Sequence, residues 1–153
     1  MLAEILRARE NFGQSDWGRG RKINFEFVSA NPTGPLNIVS ARAAALGDVM
    51  ANLMQACGAE VAREYYINDA GQRVKALGYS VSSRYMALFD KDEPFPEDGY
   101  HGEYVKVLAQ NLREEFGERL VSMELEERCE KFTELALARM VAAQKQALID
   151  YRV

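Results

Sequence analysis

Cysteine and histidine are scarce in this 153-residue chain, which has two of the first and one of the second. Cys57 and Cys129 are too few and too far apart for a disulfide framework or a zinc site. A lone histidine, His101, excludes a His-rich metal centre and most catalytic arrangements built on imidazole. Positive charge is not in surplus either. Nineteen Lys and Arg stand against 23 Asp and Glu, a net charge of −4, so the chain as a whole is no general nucleic-acid binder. Such a partner requires a local basic patch or a second domain. No apolar run approaches the roughly 20 residues of a membrane helix. The N-terminal MLAEILRARENFG mixes charge with apolar residues and lacks the uninterrupted core of a signal peptide. These absences predict a soluble, cytoplasmic protein.

What is present is ordinary globular composition, 48% hydrophobic and 27% charged, enough for one domain with a real core. Only four prolines occur, two in ANPTGP (30–35) and two in DKDEPFPEDGYHG (90–102). The second stretch, with five acids and two glycines, reads as an exposed loop. Before it, strand and helix signals alternate; after it, only helix signals remain. Leu2, Ile5 and Leu6 predict a short helix over 1–11, followed by a glycine-rich, partly basic loop, GQSDWGRGRK. Residues 22–29 (KINFEFVS) alternate like a strand. A helix is predicted from about Val39 to Cys57, with Leu46, Val49, Met50, Leu53 and Met54 as its apolar face and Gly58 as its stop. EVAREYYI (60–67) predicts a second strand, and a long helix begins near Asp69. Two further helices are predicted over 103–116 and 123–151.

Strand, glycine-containing turn, helix, strand is a βαβ unit, so the expected class is α/β with parallel strands. Ligands of such sheets bind at the carboxyl ends of strands, where helix N-termini offer free N–H groups. That directs attention to EFVSANPTGPLNIVSARAAALGD (26–48). It contains neither a Walker pattern nor G-x-G-x-x-G, and Gly18-Arg19-Gly20 precedes the strand rather than following it.

Residues 24–48 resemble the arginyl-tRNA synthetase signature, E-F-V-S-A-N-P-T-G-P-L-H-V-G-H-A-R. The resemblance continues through REYYINDAGQR (63–73), SSRY (82–85), FPEDGYHGEYV (95–105) and QKQALIDYRV (144–153), in family order along the whole chain. It implies the N-terminal part of a class I catalytic domain: a partial Rossmann-like nucleotide-binding fold followed by a mainly helical insertion. Residues 1–90 then form the βαβ part with the signature loop and 91–153 the helical part, and the anticodon-binding domain is absent. The implied activity is activation of arginine with ATP and its transfer to tRNA(Arg) in a longer parent, the isolated chain being inactive. Mg2+ accompanies ATP, no metal is bound by the protein itself, and no membrane is involved. The alternative is a non-catalytic paralogue that keeps an arginine or nucleotide pocket.

The resemblance places amino-acid binding on Ser29 and Asn31, with Glu26 on the same strand and Asn68, Asp69 and Gln72 near the same pocket. ATP falls to Pro35, Asn37, Val39 and Ser40, with Ser40 also among the substrate contacts. The family's H-x-G-H stands here as Asn37-Ile38-Val39-Ser40, so both imidazoles are missing. Asn37 and Ser40 inherit the catalytic positions as neutral donors, and both are equally suited to cap the helix. Val39 replaces a glycine over which adenine lies. As blander readings, Ser29 and Asn31 stabilise the turn, His101 packs in its loop, the two cysteines are small buried apolar residues, and the acids of 90–98 face solvent.

Overall fold

The computed structural model describes all residues, Met1–Val153, in two compact units. The first comprises Met1–Ala30, Asn37–Tyr66 and Val153; the second comprises Asn31–Leu36 and Ile67–Arg152.

The first unit holds α1 (Leu2–Ala8) with a short 3-10 turn (Arg9–Asn11), β1 (Lys22–Glu26), α2 (Ile38–Ala56) and β2 (Glu60–Glu64). The strands are parallel and in register from Lys22 opposite Glu60 to Glu26 opposite Glu64, with α2 as the crossover, which is the predicted βαβ connection. Asn37 caps α2, its Oδ1 accepting from the N–H groups of Val39 (2.9 Å) and Ser40 (3.1 Å). At the other end Gly58, at φ +90°, donates to Gln55 O while Ala59 donates to Met54 O. This pair of bonds closes the helix, and only a residue without a Cβ takes that φ without strain. Gly47 is required for a different reason: a Cβ there would run into the ring of Phe27, so α2 lies directly on the end of the strand. Arg63 on β2 reinforces this contact with its Nε on Asp48 (3.1 Å) and a terminal nitrogen on Asn52 (2.6 Å).

The expected apolar face of α2 is not a buried face. Ala44, Gly47 and Ala51 are buried, whereas Leu46, Val49, Met50 and Leu53 are exposed. The small residues are what permit strand and helix to approach closely. Both strands also end earlier than predicted, at Glu26 and Glu64. After β1 the backbone turns into the left-handed region at Val28 (φ 67°) and Ser29 (φ 38°), which no strand continues through.

The second unit is helical: α3 (Gln72–Ala87), α4 (Glu103–Phe116) and α5 (Leu125–Asp150). The third helix starts three residues later than predicted, because Gly71 at φ +96° interrupts the chain before it. Leu77, Val81 and Tyr85 of α3 meet Val105, Leu108 and Leu112 of α4 and Phe132, Ala136 and Met140 of α5 in one core. Tyr85 lies tilted against Phe132 with ring centres 4.9 Å apart, and its hydroxyl donates to Gly117 O. The acidic loop is fastened to α3, where Ser83 Oγ donates to Glu93 O (3.1 Å) and Ser80 Oγ accepts from Tyr100 N (2.8 Å). Its acids do not all face solvent. Glu93 turns inward onto Arg128, and both side chains are more than nine-tenths buried, with Arg128 also donating to Ser82 Oγ and Met123 O. Burying a charge is costly without such a partner set. His101 packs on Phe95, ring centres 4.4 Å apart, as a loop residue.

Candidate functional site

The chain leaves β1 at Glu26, which is exposed. Two consecutive non-glycine residues in the left-handed region follow, at a typical cost of 1–2 kcal/mol each. Such strain persists only where surrounding groups hold it, and here they come from the segment after β2. Ser29 Oγ accepts from Tyr66 N at 3.1 Å, and Tyr65 Oη donates to Ala30 O at 3.1 Å. Because Ser29 Oγ acts as an acceptor, its proton remains available to a ligand. Burial pushes the Tyr65 phenol above its ordinary pKa, which keeps it a donor.

Asn37, Ile38, Val39 and Ser40 form the first turn of α2. The carboxamide oxygen of Asn37 is occupied by the cap, leaving its NH2 to point elsewhere, and Ser40 Oγ lies 3.4 Å from the same oxygen. Ile38 and Val39 are strongly exposed, at 83% and 71%. The cap predicted for Asn37 is therefore present, and the N-terminus of α2 carries no side-chain cation in its first turn.

Residues 31–36 belong to the helical unit. Pro32 and Thr33 are buried, while Asn31 and Pro35 are exposed. Thr33 O accepts from Tyr104 Oη (2.8 Å), and Gln144 Nε2 donates to both Asn31 O (3.0 Å) and Gly34 O (2.7 Å). In the same unit Asn68, Asp69 and Gln72 are all exposed, and Gln72 opens α3. Gln72 also lines an open cavity of about 860 Å³ together with Arg73, Tyr79, Glu97 and His101.

The structure thus ties Ser29 to the segment after β2 and groups Asn37, Val39 and Ser40 at one helix start. Sequence reading gave no role to Tyr65, Tyr66, Tyr104 or Gln144, the residues that hold this peptide. Their only signal was membership of the blocks REYYINDAGQR, FPEDGYHGEYV and QKQALIDYRV.

No protein-family model matches the chain. Over all of its 153 residues it is 44% identical to the arginine–tRNA ligase of Bacillus licheniformis and 45% identical to that of Geobacillus kaustophilus. It is 52% identical over 120 residues to the arginine–tRNA ligase of Desulfotalea psychrophila. It spans 28% of the length of the first two and 22% of the third. A crystal structure from Campylobacter jejuni, of a chain assigned as an arginyl-tRNA synthetase, superposes on it with a TM-score of 0.82. The two are 33% identical, over 98% of this chain and 33% of that one.

Proposed function

We propose, from the chain's homology to arginine–tRNA ligases over its whole length, that it carries the amino-acid- and ATP-facing part of such an enzyme's catalytic domain. In this reading the two-stranded parallel sheet is one edge of a Rossmann-like nucleotide fold. Ser29 and Asn31 take the ammonium and carboxylate of arginine, and Glu26 pairs with a cationic group of the substrate. Asn68, Asp69 and Gln72 complete the amino-acid side. Pro35, Asn37, Val39 and Ser40 face ATP, which arrives with Mg2+, and tRNA(Arg) accepts the product. The observation that supports this best is the strand exit itself. The chain leaves a parallel strand at its carboxyl end through a strained, externally braced backbone at Val28 and Ser29, in the same unit as the Asn37-capped N-terminus of α2.

Asn37 and Ser40 stand where the family signature carries its two imidazoles. Neutral donors at Asn37 and Ser40 lack the charge that a protonated histidine brings to a phosphate. The cap also uses Asn37 Oδ1 but leaves its NH2 free to donate. We read the motif as a working variant. The test is arginine-dependent ATP–pyrophosphate exchange by the Bacillus licheniformis enzyme carrying these 153 residues in place of its own segment. Exchange should persist, and Asn37→Ala and Ser40→Ala should each lower it by roughly 1–3 kcal/mol of transition-state stabilisation. An inactive chimaera revived by restoring His-Ile-Gly-His at 37–40 would instead support the non-catalytic reading.

A further inference from the structure

We infer that Gln144 and Tyr104 are positioning residues that set the backbone of the Asn31–Gly34 loop for substrate, an inference that rests on the arginine-site reading above. Asn31 and Gly34 each precede a proline. Their peptide units therefore have a carbonyl but no N–H, and neither can enter a reciprocal backbone ladder. Both carbonyls turn to one side chain, the carboxamide nitrogen of Gln144, at 3.0 and 2.7 Å. An NH2 carries two hydrogens, so one group satisfies both oxygens. Gln144 is only 4% exposed, and a buried amide at such a place has to be matched by acceptors.

The carbonyl of Thr33, between these two, is held by the Tyr104 hydroxyl at 2.8 Å. Burial pushes the Tyr104 phenol up to about 12, so it remains a donor throughout the physiological range. The same hydroxyl limits what residue 34 can be, since a Cβ on Gly34 would lie 3.3 Å from it. Three of the four carbonyls from 31 to 34 are thus fixed by α4 and α5, across 71 to 113 positions of sequence. The exposed Asn31 side chain stands on a backbone whose peptide planes are already set. A ligand then has no loop to order, which removes an entropic cost of binding.

The test compares Gln144→Met, which keeps length but removes both donors, with Tyr104→Phe, which removes a single hydroxyl and spares the fold. On the 153-residue chain, 15N heteronuclear NOEs of Asn31, Thr33 and Gly34 report loop order. Shift titration reports arginine affinity, and the thermal midpoint controls for stability. We expect the loop NOEs to fall from rigid to mobile values while those of α3–α5 hold, and arginine affinity to drop about tenfold, equivalent to about 1.4 kcal/mol. A purely structural role would lower the midpoint and leave loop order and affinity intact, and that result overturns the assignment. So does a loosened loop with unchanged affinity. A wild-type chain that shows no arginine shifts contradicts the site reading instead, and loop order alone then decides the positioning role.

Discussion

The two units bury very different things. In the helical unit the largest fully buried side chains are Tyr85, Phe132, Leu77 and Leu112, a core of interlocking aromatic and branched residues. In the strand unit the residues buried from β1 through β2 are small, Ala44, Gly47, Ala51 and Ala59, while Leu46, Val49, Met50 and Leu53 face outward. Burying a large apolar side chain is worth about 1.5–3 kcal/mol and burying a methyl far less. The helical unit therefore holds itself together by packing. The strand unit depends on caps, the Gly58 helix closure, strand pairing and the Arg63 network. Of the residues proposed to meet substrate, Glu26, Ser29, Asn37, Val39 and Ser40 sit in the strand unit, where packing contributes least, and Asn31, Pro35, Asn68, Asp69 and Gln72 in the helical one.

The largest expected effect is in the helical core. Phe132→Ala should cost about 3–5 kcal/mol, because the ring fills a closed space against Tyr85. Each unit has its own reporter, since Cys57 is half-buried in the strand unit and Cys129 is buried in the helical one. Burial also pushes the Cys129 thiol up, further suppressing its thiolate. In the wild type Cys57 should label much faster than Cys129, and Phe132→Ala should abolish that difference. Equal labelling rates in the wild type would break the comparison.

Gly47→Ala probes the other unit. Alanine is the better helix former by about 1 kcal/mol, yet its Cβ would strike the Phe27 ring. Overpacking of this kind typically costs 1–3 kcal/mol, so we expect net destabilisation with faster Cys57 labelling and unchanged Cys129 labelling. A stabilised variant would show that α2 does not lie on the strand end as described.

A smaller effect concerns pH. Burial raises the phenols of Tyr65, Tyr79, Tyr85 and Tyr104, the last to about 12. In the unfolded chain tyrosine loses its proton near its ordinary value of about 10. The stabilisation tied to the neutral phenols is thus complete below about pH 10 and is lost as pH rises towards 12. Denaturant midpoints should fall across that window, and Tyr104→Phe should flatten the fall. A midpoint independent of pH from 9 to 12 would contradict the burial of these groups.

Much of this was legible in the sequence for identifiable reasons. The helix at Glu103–Phe116 was readable to the residue as the stretch that follows the acidic loop, and the parallel βαβ unit from the order of its signals. The apolar stripe on α2 misled, because periodicity shows a face but not what covers it. The early end of β1 was invisible, since Val28 favours strands and nothing in its identity announces a positive φ. The inward turn of Glu93 depended on Arg128, 35 positions away. The site residues were legible only through resemblance. Gln144 and Tyr104 stayed hidden because a donor over 70 residues distant leaves no local pattern.

The most direct test of the central claim is an arginine titration of the 15N-labelled chain, with leucine as control. Arginine should shift the amides of Ser29 and Asn31 with affinity in the millimolar range, about −4 kcal/mol. Leucine should leave them in place, and Asn31→Ala should abolish the response. No shifts at saturating arginine, or shifts confined to α4 and α5, would contradict an arginine site at the exit of β1.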